Sequence, residues 1–253
     1  MSGSGISLCR TFLEMADAVS RNLHLSYGCD ISYGEETITE SCLLEIWRRH
    51  SPAVHIETFT KRQEARNGAD WEWHLIGRTY TFKMRVQAKR LARNGKKFRS
   101  LFTYKVATAP SPQVDMLIRG ASARKLKPVL CFYSPEVARS RWTAGKMPRG
   151  LEAGCLVGDA SKIKISASND LASLELITIP WHYLVCPRKT MSRDFPSVQF
   201  LNEGDAASEQ DLPEYIVPTP SRGSARPAEV GQVHDIELGV IGRVKIDCRG
   251  LAT

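Results

Sequence analysis

The stretch GADWEWHLIGRTYTFKMRVQAKRL, residues 68–91, decides how the rest of the chain is read. In its first half Trp71, Trp73 and Leu75 alternate with Asp70, Glu72 and His74. In its second half Phe82, Met84, Val86 and Ala88 alternate with Lys83, Arg85, Gln87 and Lys89. Successive side chains of a strand leave on opposite faces, so the pattern predicts two half-buried strands. Gly77 and Arg78 lie between them, where a hairpin connection belongs. The two tryptophans sit on the apolar face and read as core. The functional question is what the polar face is for.

A chain of 253 residues, 42% of them hydrophobic, can bury a full core as one large domain or as one domain with a smaller appendage, which excludes disorder of the whole chain. The formal net charge of +8 favours a polyanionic partner such as nucleic acid. Cys9, Cys29, Cys42, Cys131, Cys155, Cys186 and Cys248 are scattered singly, without a C-x-x-C pair, which fits a reduced cytoplasmic compartment. Arg10, Glu14 and Asp17 interrupt the N-terminal pattern, so no signal-peptide core is expected. No run approaches the ~20 apolar residues of a membrane span, and no membrane partner is expected.

Outward from the hairpin, apolar spacing predicts a helix over residues 6–23. A second is predicted over 33–49, with Leu43, Leu44 and Trp47 on its apolar side and a capping box at either Ser32/Glu35 or Thr37/Glu40. Residues 53–60 form a candidate first strand. After the hairpin comes a basic loop, then a helical pattern over 113–126 and the apolar strand PVLCFYS, 128–134. Residues 154–160 and 177–186 are strand-like. The expected division is a core with an N-terminal helical addition over 1–134, an α/β extension packed on it over 135–201, a flexible linker over 202–232, and over 233–253 a small hairpin or a strand on the edge of the main sheet.

An acid at the start of one strand followed on the next by (D/E/Q)-x-K resembles the PD-(D/E)xK nuclease superfamily. Here the residues are Asp70, then Gln87, Ala88 and Lys89, and the glutamine variant is similar to that of Mrr-type restriction endonucleases. The longer arrangement, GEETIT through GADWEW and QAK to PWHYLVCP, is similar to an uncharacterised family of bacterial proteins. The resemblance covers roughly residues 33–134. It implies a restriction-endonuclease-like α/β core of order α-β-β-β-α-β, with a mixed central sheet flanked by helices.

It implies chemistry as well: Mg²⁺ (or Mn²⁺) held by Asp70 and the amide oxygen of Gln87, with Lys89 on the attacking water or the phosphate. Glu36, ahead of the strands, matches the acid some members use there, and Glu40 one turn later is its rival. Glutamine in place of the usual acid removes a negative charge, for which Glu72, on the same face as Asp70, is a candidate to compensate. His74 shares that face and reads as polar surface. Arg90, Arg93, Lys96, Lys97 and Arg99 follow as a candidate backbone-tracking element. The expectation is a metal-dependent endonuclease acting on DNA, in prokaryotic defence by analogy with restriction enzymes, and as a homodimer where both strands are cut. The competing expectations are an inactive nucleic-acid-binding module on the same fold and a basic protein-interaction module.

Overall fold

A computed structural model describes residues 6–58, 71–93, 97–105, 111–135, 154–188, 193–204, 211–220 and 242–249. In chain order the elements are α1 (Leu8–Cys29), α2 (Glu35–His50), β1 (Val54–Thr58), β2 (Trp71–Ile76), β3 (Tyr80–Arg90), α3 (Gln113–Ala123), β4 (Lys127–Tyr133), β5 (Cys155–Asp159), α4 (Ala160–Ser166), α5 (Leu171–Leu174), β6 (Thr178–Pro180), α6 (Val198–Glu203), β7 (Ile216–Pro218) and β8 (Gly242–Asp247). From α2 to β4 this is the expected helix, three strands, helix and strand. Among the described residues the eight strands form one mixed sheet in the order β1-β8-β2-β3-β4-β5-β6, with β7 on β3.

The hairpin is antiparallel, with Trp71 opposite Val86 and Ile76 opposite Thr81, while β3 and β4 run parallel with Ala88 opposite Cys131. A parallel pair needs a crossover, and α3 supplies it. Period two then sorts the side chains. Trp71, Trp73, Met84 and Cys131 join Phe12 of α1 and Ile38 of α2 in one apolar layer. Leu130 and Phe132 join Leu117 of α3 and Ile163 of α4 in a second layer on the other side. Helices on both faces explain why β2 and β3 are buried more fully than a half-exposed hairpin would be.

The C-terminal strand departs from the reading of the sequence. β8 pairs antiparallel with β1 and parallel with β2, so it lies inside the main sheet, neither in a separate hairpin nor on an edge. Alternating Val244 and Ile246 with Arg243 and Lys245 fixes a strand with one buried face, but period two carries no information about its partner. Gly242 admits the close packing, since a Cβ there would come within 2.5 Å of both the Trp71 ring and the Glu57 carbonyl. The stretch read as a linker is not wholly so: Ile216–Pro218 is β7, paired antiparallel with the start of β3. Residues 205–210 and 221–232 of that stretch lie outside the described residues.

The N-terminus of α2 is also different. Its N-cap is Gly34, without a side-chain hydrogen bond, so neither proposed capping box forms. Glu35 instead accepts the backbone N–H of Arg90 at 2.9 Å, which ties α2 to the end of β3. The buried stripe of α2 is Ile38, Cys42, Leu43 and Ile46, while Leu44 and Trp47 face outward.

Cys9, in the first turn of α1, is joined to Cys186 by a disulfide, at a Cα–Cα distance of 4.8 Å. A pairing across 177 residues of sequence has no local signature, so seven isolated cysteines gave no sign of it. It closes a long loop that would otherwise be open in the unfolded chain. Cys9→Ser is expected to lower the unfolding free energy by about 2–4 kcal/mol, measured by denaturant titration. An unchanged midpoint in oxidising buffer would show that the bond contributes nothing.

Candidate active site

Gln87 and Lys89 leave β3 on the same face, as two residues of one strand two apart must. Gln87 is buried, with 1% of its surface exposed, and Lys89 is half-buried. The two meet at a third residue, Gln113, the first of α3. Its side-chain oxygen Oε1 accepts Gln87 Nε2 at 3.0 Å and Lys89 Nζ at 2.9 Å. Pro112, at the N-cap of α3, fixes where the helix starts and therefore where Gln113 sits. Lys89 Nζ also lies 5.5 Å from the centroid of the Tyr104 ring. Asp70, the first residue of the expected motif, lies outside the described residues. The strand it precedes begins at Trp71, paired with Val86.

Lys89 and Gln113 line a cleft of about 400 Å³ between α2 and α3, whose wall also includes Glu36, Glu40, Arg99 and Tyr104. Glu36 and Glu40 are one turn apart on α2 and so share a face, and both are exposed in the cleft. No capping box engages Glu40, so it stands level with Glu36 as the acid from α2. A second, apolar void of about 30 Å³ lies within the core, lined by Phe12, Trp73, Tyr133 and Trp181, and among the described residues no charged side chain lines it.

Two carboxylates and the amide of Gln87 are oxygen donors of the type a hard divalent cation takes, and such ions keep several waters when the protein offers few ligands. Among the described residues no three His, Cys, Asp or Glu side chains gather as a group able to hold a metal. By donor type alone the described carboxylates and amide suit Mg²⁺ or Mn²⁺.

Glu72 does not belong to this set. It is fully buried, its Oε2 lies 3.2 Å from Arg243 of β8, and its Oε1 lies 3.2 Å from Arg124 Nε, an ion pair without hydrogen-bond alignment. It also sits opposite Arg85 in the hairpin register. Burial pushes the Arg85 guanidinium down to about 10 while Glu72 pulls it up, which leaves it charged near neutrality. A Cβ at Gly120 would lie 2.5 Å from Arg85 Nη1, so the glycine is what lets α3 pass over this buried cation. Nor is His74 plain polar surface. Its Nε2 is buried without a partner among the described residues, and burial, then Arg243, Lys83, Lys245 and Arg124, push its pKa down to about 3. It is neutral at ordinary pH and cannot serve as a cationic phosphate contact.

The basic loop is divided. Arg90 donates to the Tyr33 carbonyl and lies over the Tyr27 ring, and Arg93 pairs with Asp30 and the Tyr27 carbonyl, so both charges are engaged at the end of α1. Lys97 forms a β-bridge with Asp170 and has its side chain exposed, while Arg99 faces the cleft. Lys96 lies outside the described residues. The sequence reading missed Gln113 and Tyr104. The prolines ahead of residue 113 signalled the start of a helix at this end of the sheet, but nothing in the sequence distinguished these two side chains from others in the segment.

Residues 8–237 match the model of a family of unknown function, DUF6615, and the chain belongs to that family. No curated protein and no solved structure matches it.

Proposed function

We propose that this member of the DUF6615 family is a metal-dependent endonuclease that hydrolyses phosphodiester bonds in DNA. One observation carries the reading: Gln87 and Lys89 meet at the Gln113 side-chain oxygen on the wall of a cleft that also holds Glu36 and Glu40. A carboxylate in the place of Gln113 would hold Lys89 in an ion pair and offset its charge. A neutral amide oxygen fixes the ammonium in position and leaves that charge for a phosphate, whose negative charge shifts as the phosphodiester reacts. Arg99 adds a second cation to the same cleft. Glu36 or Glu40 can accept the proton of an attacking water. With Asp70 and Gln87, these carboxylates would hold Mg²⁺ or Mn²⁺, which neutralises phosphate charge and lowers the pKa of water when bound.

The test is incubation of the protein with plasmid, linear duplex and single strands in Mg²⁺, Mn²⁺ or EDTA. Cutting that requires the cation supports the reading. Salt-sensitive binding without cutting would favour an inactive nucleic-acid-binding module, and no binding would favour a protein-interaction module.

The role of Gln113 is separately testable. Gln113→Ala removes the acceptor shared by Gln87 and Lys89, and a lost hydrogen bond to a charged group is worth about 1.5–3 kcal/mol. A fall in kcat of roughly tenfold or more is therefore expected, with KM little changed; Gln113→Glu keeps both acceptor contacts but sets a negative charge against Lys89, so its kcat should fall as well. Gln87→Glu is not the simple restoration of an acid that the superfamily pattern implies. It sets two oxygens against each other unless Gln113 turns its amide over. Equal kcat for Gln113→Ala and the wild type would remove Gln113 from the site.

A further inference from the structure

Among the described residues, Tyr104 is the one large aromatic side chain lining the cleft that leaves much of its surface in water: it is 49% exposed, against 4% for Trp71. Its position is fixed from the backbone. The Tyr104 N–H donates to the Ser100 carbonyl at 3.0 Å, and the Tyr104 carbonyl accepts the N–H of Gln113 at 2.9 Å. The Tyr104 backbone is thus tied directly to the residue that holds Gln87 and Lys89, and Lys89 Nζ lies over the ring, 5.5 Å from its centroid. An aromatic ring half in water has apolar surface left to bury, and the cleft it lines also holds Arg99 and Lys89, cations suited to phosphates. Flat apolar surface beside phosphate-binding cations matches the two parts of a nucleotide.

Resting on the nuclease reading above, we infer that Tyr104 is a nucleobase-stacking subsite and that the cleft takes an unpaired nucleotide beside the phosphate at Lys89. A base within a continuous duplex has both faces covered by its neighbours, so a protein ring can stack only on a base in a single strand, at an end or bulge, or flipped out of the helix. The subsite therefore assigns the substrate class as DNA with unstacked nucleotides. It supplies little preference among the four bases, because every base has a π-face.

The experiment measures fluorescence anisotropy in EDTA, so that binding is read without cleavage. The probes are a short labelled single-stranded DNA, its duplex, and the same single strand made abasic throughout. Stacking on an aromatic side chain is lost on substitution by alanine, and Tyr104→Ala is expected to weaken single-strand binding roughly 5- to 150-fold. Tyr104→Phe should retain it, the duplex affinity should be unchanged by either substitution, and the abasic strand should bind both variants and the wild type alike. Because the side chain is half exposed, Tyr104→Ala is expected to fold, and thermal melting checks this. If Tyr104→Ala binds the single strand as the wild type does, while Arg99→Ala weakens it, the base subsite is overturned and the nucleic-acid reading stands. If the wild-type protein binds none of the three probes, both are overturned.

Discussion

Lys89→Ala is expected to lower the rate of cleavage by about 10²–10³-fold, ~2.7–4 kcal/mol of transition-state stabilisation, the cost of removing one preorganised group that meets developing charge. The fold should lose little. Among the described residues the Lys89 ammonium donates one hydrogen bond, to a Gln113 oxygen that keeps its bond from Gln87, and Lys89 belongs to neither apolar layer, so the loss of stability should stay within about 1.5 kcal/mol, the net worth of one ordinary hydrogen bond. Single-turnover cleavage with Mg²⁺ in excess reads the first quantity, and denaturant titration reads the second. The two together separate chemistry from packing, since a lysine that only decorated a strand would be silent in both. Robust cleavage by this variant would end the case for the site, whatever the cleft looks like. Slow cleavage accompanied by a large fall in stability would assign Lys89 to the scaffold.

Much of the core could be read from the sequence because its signals are local. Trp71, Trp73, Phe82 and Met84 alternate with polar residues at a period that only a strand has, and Gly77 lies at the turn. The same rule placed Gln87 and Lys89 on one face and the tryptophans on the other. Signals that need a partner were not legible. Val244 and Ile246 announced a strand but not its seat between β1 and β2, and Cys9 gave no hint of Cys186. Gln113 became meaningful only when β3 and α3 were brought together, because an amide acquires a role from what it bonds. The basic loop misled for a related reason. Arg90 and Arg93 look like free charge in sequence, yet they meet Tyr33, Tyr27 and Asp30 once the N-terminal helices dock beside them.

Glu72 is the residue for which the sequence and structural readings predict opposite experiments. As a second metal-site acid, its replacement would damage activity and spare stability. As a fully buried carboxylate paired with Arg243 and Arg124 and set opposite Arg85, its replacement should do the reverse. A buried ion pair contributes little net stability when formed, because desolvation offsets much of the Coulombic gain. Removing one partner leaves the other charge uncompensated in a poorly polarisable interior. Here one carboxylate answers several guanidinium groups, so Glu72→Ala is expected to lower the unfolding free energy by about 3–5 kcal/mol. For a protein of this size that corresponds to a midpoint lower by roughly 6–20 °C. Glu72→Gln keeps an oxygen for Arg243 but loses the charge, and should fall between wild type and alanine. Calorimetry of the three proteins decides the matter. A loss below about 1 kcal/mol for Glu72→Ala, together with a collapse of Mg²⁺-dependent cleavage in the folded variant, would return Glu72 to the metal site and refute its assignment to the ion-pair network between β2, β8 and α3.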